Sequence, residues 1–203
     1  MPRSETRNQK THPLTLYNPA FEHDGCGTGF IADIEGRASH RVVHLAVEAL
    51  VRLTHRGAVS ADAASGDGAG VTIQIPRALL AADAAKLGLA EKDLDRLAVA
   101  MVFLPADEQH RPYARELLEG AVSRSGLRVL GWRTVPVDPS MLGGLAKDTL
   151  PGIEQLLIAR PDEVAPADYE RVLYIARRRA EASYREHDVD AYIVSMSSRT
   201  VVY

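Results

Sequence analysis

The chain carries one cysteine, Cys26, within Glu22-His23-Asp24-Gly25-Cys26-Gly27-Thr28-Gly29-Phe30. Glycines on both sides leave the thiol open to close approach, because a residue without Cβ lets another backbone or a ligand come near. A structural cysteine more often lies inside an apolar run. The two readings are therefore a nucleophile and a small structural side chain. A nucleophile needs help from a base, since thiolate is the reactive form and a free cysteine has a pKa of about 8.5.

Other segments invite a chemical reading. Leu53-Thr54-His55-Arg56-Gly57-Ala58 places a histidine and an arginine before a glycine, where cations complement the negative end of a helix. Ser65-Gly66-Asp67-Gly68-Ala69-Gly70 is glycine-rich, but it lacks the Gly-Lys-Ser/Thr ending of a phosphate-binding loop and precedes a strand pattern. It reads as a turn in which Asp67 accepts hydrogen bonds from nearby backbone amides. Gly27-Thr28-Gly29-Phe30-Ile31-Ala32 matches a dinucleotide fingerprint in letters only: polar residues precede it and a β-branched, aromatic run follows. His40 and His44 share a helix face without a third ligand at supporting spacing, so a metal site is not expected. Arg177, Arg178 and Arg179 stand among Glu170, Glu181 and Glu186 and read as a solvated helix face with i,i+4 partners.

The elements that must hold these residues follow from periodicity. Met1 to about Pro13 is polar and without period and is expected to be disordered. A strand is expected at Gly29 to Ile34. Ser39 is placed as an N-cap to a helix whose apolar positions Val42, Leu45, Ala46, Ala49, Leu50 and Leu53 line one face, with Gly57 as its stop. Val71, Ile73 and Ile75 alternate with Thr72 and Gln74, the pattern of a strand with one buried face, ended by Pro76. Leu97 to Leu104 is continuously apolar and predicts a central strand. Helices are expected at Asp107 to Ser123, with Pro112 in the first turn, and at about Asp168 to His187. Further strands are expected at Leu127 to Val135, Ile153 to Ala159 and Ala191 to Met196. The interleaving predicts a mixed α and β class.

A chain of 203 residues can bury a sizeable core and suggests one domain. A net charge of −3 leaves no basic footprint for nucleic acid. The first residues lack the apolar core of a secretory signal, and no run reaches the length of a membrane span. A single cysteine allows no internal disulfide, as suits a cytoplasmic protein.

Cys26-Gly27-x-Gly29-Phe30, Thr54-His55-Arg56-Gly57-Ala58 and Gly66-Asp67-Gly68-Ala69-Gly70 occur in this order, followed by Gly131-Trp132-Arg133-Thr134-Val135-Pro136 and Ser197-Ser198-Arg199-Thr200-Val201-Val202-Tyr203. Together they resemble the start of the class II glutamine amidotransferase domain of the large subunit of glutamate synthase, from about residue 17 to the last. Ser60 departs from that pattern, standing where a glycine is expected. The resemblance implies an α+β, N-terminal-nucleophile hydrolase fold, a four-layer αββα sandwich of two antiparallel sheets between helices, incomplete at the C-terminus. It implies that Cys26 is the catalytic nucleophile toward the side-chain amide of glutamine, with its own α-amino group as base. Such an amine has a pKa of about 7.7–8.0. That role requires cleavage after Gly25, making residues 1–25 a leader or propeptide and 26–203 the N-terminal portion of the amidotransferase domain. Gly27, Arg56, Gly57 and Asp67 are implied as supports of the substrate site.

No cofactor is implied for this segment; flavin and an iron–sulfur cluster belong to the remainder of a full-length synthase. By the same resemblance, the oxyanion-hole pair, the substrate-carboxylate arginine and the aspartate for the substrate amine lie beyond Tyr203. Two readings stay open: part of an amidotransferase that works with a separately encoded remainder of the large subunit, or a catalytically inactive fragment serving at most as an interaction module.

Overall fold

The computed structural model describes residues 27–53, 57–58, 62, 64–66 and 68–203. The apolar run of β2 (Leu97–Leu104) lies inside a four-stranded antiparallel sheet of order β3–β4–β2–β5, formed with β3 (Arg128–Thr134), β4 (Gly152–Ala159) and β5 (Tyr192–Ser197). Both faces of β2 are covered, which is why its sequence is continuously apolar instead of alternating. Ala98, Ala100 and Val102 point to one core; Leu97, Val99 and Met101 point to the other.

The first core is roofed by α3 (Arg111–Arg124) and α5 (Tyr169–Glu186). Leu118 and Leu173 fill it, while Ala114, Ala121, Ala176 and Ala180 keep the helices close to the sheet and to each other. The Tyr184 hydroxyl donates to the carbonyl of Ala114 at 3.1 Å, so the buried phenol is satisfied. Pro112 falls in the first turn of α3, where its missing N–H costs no helical bond. The second core lies beneath a two-stranded ribbon of β1 (Thr72–Gln74) and β6 (Thr200–Val202), with α2 (Arg77–Lys86) beside it. Beyond the ribbon lies α1 (His40–Arg52), whose Val42, Val43 and Ala46 face β1 across a cavity of about 320 Å³.

The chain passes from one sheet to the other between β5 and β6. Glu170 on α5 accepts hydrogen bonds from the Ser198 amide at 2.7 Å and from the hydroxyls of Ser197 and Ser198. Arg77 donates to the Ser198 carbonyl at 2.8 Å and to the Leu94 carbonyl at 2.9 Å. Within β5, Met101 pairs with Ser195 and Val102 with Ile193, leaving Val194 as a bulge. The Ile193 carbonyl accepts from Arg177 at 2.8 Å.

Several expectations need correction. Residues 29–34 form no strand: Asp33 accepts from the Glu35 amide and closes a turn onto Gly36, and Phe30 and Ile34 are fully in solvent. An apolar run without a partner strand does not make a ladder. The first helix ends at Arg52 instead of continuing to Gly57, while Ser39 stands at its N-cap as expected, with its carbonyl accepting from the Val42 amide. Helix α2 went unanticipated because only Leu80 and Ala84 are buried along it, too weak a stripe to show a period. Arg177 has the i,i+4 partner expected, Glu181, but is only partly solvated, since it also reaches the Ile193 carbonyl in the sheet.

Two backbone positions give sharp tests. Gly131 interrupts the β3–β4 register at φ +152°, and a Cβ there would lie 2.8 Å from Leu87 Cδ2. Asp188 follows α5 at φ 51°, with the Asp188 and Val189 amides closing onto Arg185 and Tyr184 in a Schellman turn. Gly131→Ala is expected to destabilise the fold by about 1–3 kcal/mol. Asp188→Gly is expected to stabilise it by about 0.5 kcal/mol. Urea midpoints at unchanged slope measure both.

Candidate active site

Of the residues singled out by sequence, Cys26, Arg56 and Asp67 lie outside the described residues. Gly27 is half-buried in non-regular backbone, and Gly57 is exposed just after α1. The surrounding segments are described well enough to show how they converge. A Cβ on Gly66 would lie 3.1 Å from the Ala58 carbonyl oxygen, so the segment after α1 touches the glycine-rich loop. A Cβ on Gly70 would lie 3.0 Å from the Tyr203 carbonyl oxygen, so the other end of that loop lies on the end of β6. Val71 and Tyr203 exchange backbone hydrogen bonds at 2.7 and 2.9 Å. The glycines serve close approach here, since any side chain would separate these strands.

From Tyr203 the contacts continue into the four-stranded sheet. Its hydroxyl accepts from Gln155 Nε2 at 3.0 Å, and Gln155 Oε1 accepts from Arg133 Nη1 at 3.0 Å. Arg133 Nε donates to Asp83 on α2 at 2.8 Å. The bond from Arg133 holds the Asp83 carboxyl below its usual range. Gln155 is fully buried, yet both ends of its amide are satisfied. This polar line joins the Gly131-to-Pro136 and Ser197-to-Tyr203 segments between the two sheets. On the opposite face of β4, Glu154 is buried and paired with Arg115, whose guanidinium stacks 5.7 Å from the Trp132 ring centre.

Sequence reading missed Gln155, Asp62 and Ser65. Gln155 carried a signal: Glu154-Gln155 interrupts an otherwise apolar strand, and two adjacent polar residues there must serve opposite faces. Asp62 and Ser65 form a clasp. Asp62 accepts from the amides of Ala64 and Ser65 and from the Ser65 hydroxyl. It also accepts from the Leu145 amide, while Ser65 Oγ accepts from the Ala146 amide. The approach to the glycine-rich loop is thereby pinned to α4 (Gly144–Asp148). Among the described residues no group of three or more His, Cys, Asp or Glu gathers to hold a metal, and no helix is long and apolar enough to cross a membrane.

The segments brought together are those of a known family. The profile described as "Glutamine amidotransferases class-II" matches residues 26–203. The chain belongs to the class II glutamine amidotransferases. It is 46% identical over 182 residues to ferredoxin-dependent glutamate synthase 2 of Synechocystis, covering 90% of this chain and 12% of that protein. It is 36% identical to the large chain of the NADPH glutamate synthase of Bacillus subtilis, covering 98% of this chain and 13% of that one. The corresponding Azospirillum brasilense large chain is 39% identical, with 92% and 12% covered. The chain thus spans about one-eighth of the length of these relatives.

Hydrogen bonds to Ser65 hold the Asp62 carboxyl far below its usual range. A depressed folded-state pKa gives stability that is present above the unfolded value of about 3.9 and lost as pH falls below it. The carboxylate is therefore expected to stay ionised and the clasp closed well below about pH 4, its contribution to stability fading as pH falls from about 3.9 toward the depressed folded value. Asp62→Asn should open it at neutral pH, seen as faster hydrogen exchange at the Leu145 and Ala146 amides.

Proposed function

We propose that this chain is part of the glutaminase domain of a glutamate synthase large chain, and that Cys26 is its nucleophile. The observation that carries this reading is the family match, which begins at Cys26. The convergence of the Gly57–Ala58, 66–70 and 197–203 segments supports a shared site there. The thiolate attacks the side-chain carbonyl of glutamine, and the tetrahedral adduct expels ammonia to leave a γ-glutamyl thioester. Water then adds to the thioester, releasing glutamate and regenerating the thiol.

The base is the α-amino group of Cys26, whose pKa range suits proton transfer near neutrality; an amide nitrogen within a chain has no such basicity. Residues 1–25 are then a leader removed by cleavage after Gly25. Gly27, Arg56, Gly57 and Asp67 shape the glutamine site around the thiol. The sequence of layers supports a four-layer αββα arrangement: α3 and α5, the four-stranded sheet, the β1–β6 ribbon, then α1. Oxyanion donors and the substrate-carboxylate clamp come from polypeptide outside these 203 residues, as do flavin and iron–sulfur groups. The cytoplasm is the proposed compartment, supported by the single cysteine.

Ammonia release from glutamine tests this reading. A chain that begins at Cys26 and ends at Tyr203 should show no appreciable turnover alone, because oxyanion donors typically contribute about 10²–10³ in rate each. Mixing with the separately expressed remainder of an amidotransferase domain should restore turnover, and Cys26→Ala should abolish it. Silence in both conditions would support the inactive fragment instead. Robust turnover by the chain alone would show a complete site within it.

A further inference from the structure

Helix α1 has only five polar residues in its 13: His40, Arg41, His44, Glu48 and Arg52. The last three stack at i, i+4 and i+8 as one narrow stripe, and the eight positions besides these five are apolar. A helix apolar over most of its circumference is built for burial on more than one side. Yet no residue of α1 is buried. Its inner flank faces the cavity of about 320 Å³ shared with β1. From Val43 in that wall, Val47 and Val51 continue along the helix at successive turns, 46% and 67% exposed.

The neighbouring backbone is equally uncovered. Ile31, Ala32 and Asp33 line the same cavity, and Phe30 and Ile34 at either end of that stretch are 94% and 104% exposed. Val71 and Ile75 bond toward β6, so by antiparallel alternation the amides of Thr72 and Gln74 point away from it. Both residues stand in the cavity wall. A two-stranded ribbon with an uncovered edge is marginal by itself.

We infer that this surface, from the cavity beside β1 along Val47 and Val51, docks polypeptide from the part of the glutamate synthase large chain outside the matched segment. The inference rests on the reading of this chain as part of such a large chain. In the relatives the matched segment is 12–13% of the molecule, so most of their polypeptide is available, covalently held, to cover it. The partner segment is apolar where it meets Val43, Val47 and Val51, and it presents backbone groups to the edge of β1.

The test uses the full 203-residue chain carrying Cys26→Ala, mixed with the Synechocystis relative expressed without its matched segment. The expected result is a complex by size exclusion, with hydrogen exchange of the α1 amides slowed about tenfold or more. Val47→Glu should weaken the complex about tenfold or more. Glutamate is a good helix former and Val47 is solvent-facing, so the helix itself should tolerate the change. Leu79→Glu, at a more exposed site on α2, should leave binding unchanged. No complex, unchanged α1 exchange in the complex, or normal binding by Val47→Glu would each overturn the inference. So would slow α1 exchange in the dilute chain alone, which would place its own residues on the surface. A homodimer broken by Val47→Glu would overturn it in favour of a second copy. Catalysis is read separately, in a chain that begins at an intact Cys26: restored ammonia release in a mixture containing Val47→Glu sinks the docking surface and spares the glutaminase reading. A Val47-dependent complex without ammonia release in the Cys26 form does the reverse.

Discussion

The carboxylate of Glu170, accepting from the Ser198 amide and from two serine hydroxyls, holds the point where the chain leaves one sheet and enters the other. Arg77 grips the same corner from α2 through the Ser198 carbonyl. Because the corner is held from both sides, β6 is delivered antiparallel to β1 with Val201 buried in the second core. That placement sets Tyr203 against Gly70 and Gln155, and so brings the glycine-rich loop to the gap between the sheets. A charged hydrogen-bonding group with several donors is stronger than its neutral counterpart, which suits a single side chain that must fix a change of layer.

The four-stranded sheet and its helical roof were legible because their patterns are extreme. A run such as Leu97–Leu104, apolar at every position, has few places to go but the middle of a sheet covered on both faces. The helices expected at Asp107 to Ser123 and at about Asp168 to His187 are α3 and α5, with Pro112 in the first turn of α3. The two-sheet arrangement was another matter. Val71 to Ile75 alternates as a one-faced strand whether it joins a large sheet or a ribbon, and three-residue β6 has no period at all. Family resemblance carried that part.

The motifs were legible in the sequence as segments, and their mutual contacts were not. Cysteine between glycines, and glycines spaced through 66–70, announce close approach without saying what approaches. For Gly66 the answer is the Ala58 carbonyl, and for Gly70 it is the backbone of Tyr203, far away in sequence. Likewise Arg133 was noted for its place in a recognised segment, while its partners Gln155 and Asp83 belong to elements whose proximity only the fold creates. The misplaced strand at 29–34 teaches the converse: apolar content predicts a wish for burial, and with no partner strand the segment joins no ladder and leaves Phe30 and Ile34 in solvent.

The central claim is that Cys26 belongs to the place where these segments meet. As the only native cysteine, it makes a clean thiol cross-linking experiment. Gly68→Cys introduces a second thiol on the glycine-rich loop, at a position with open space around it. Tyr174→Cys introduces one on the exposed surface of α5, beyond the four-stranded sheet. A short bis-maleimide is expected to give an intramolecular cross-link with Gly68→Cys and none with Tyr174→Cys, read by peptide mass spectrometry. Absence of the Gly68→Cys cross-link, or equal yields from the two variants, would contradict the shared site.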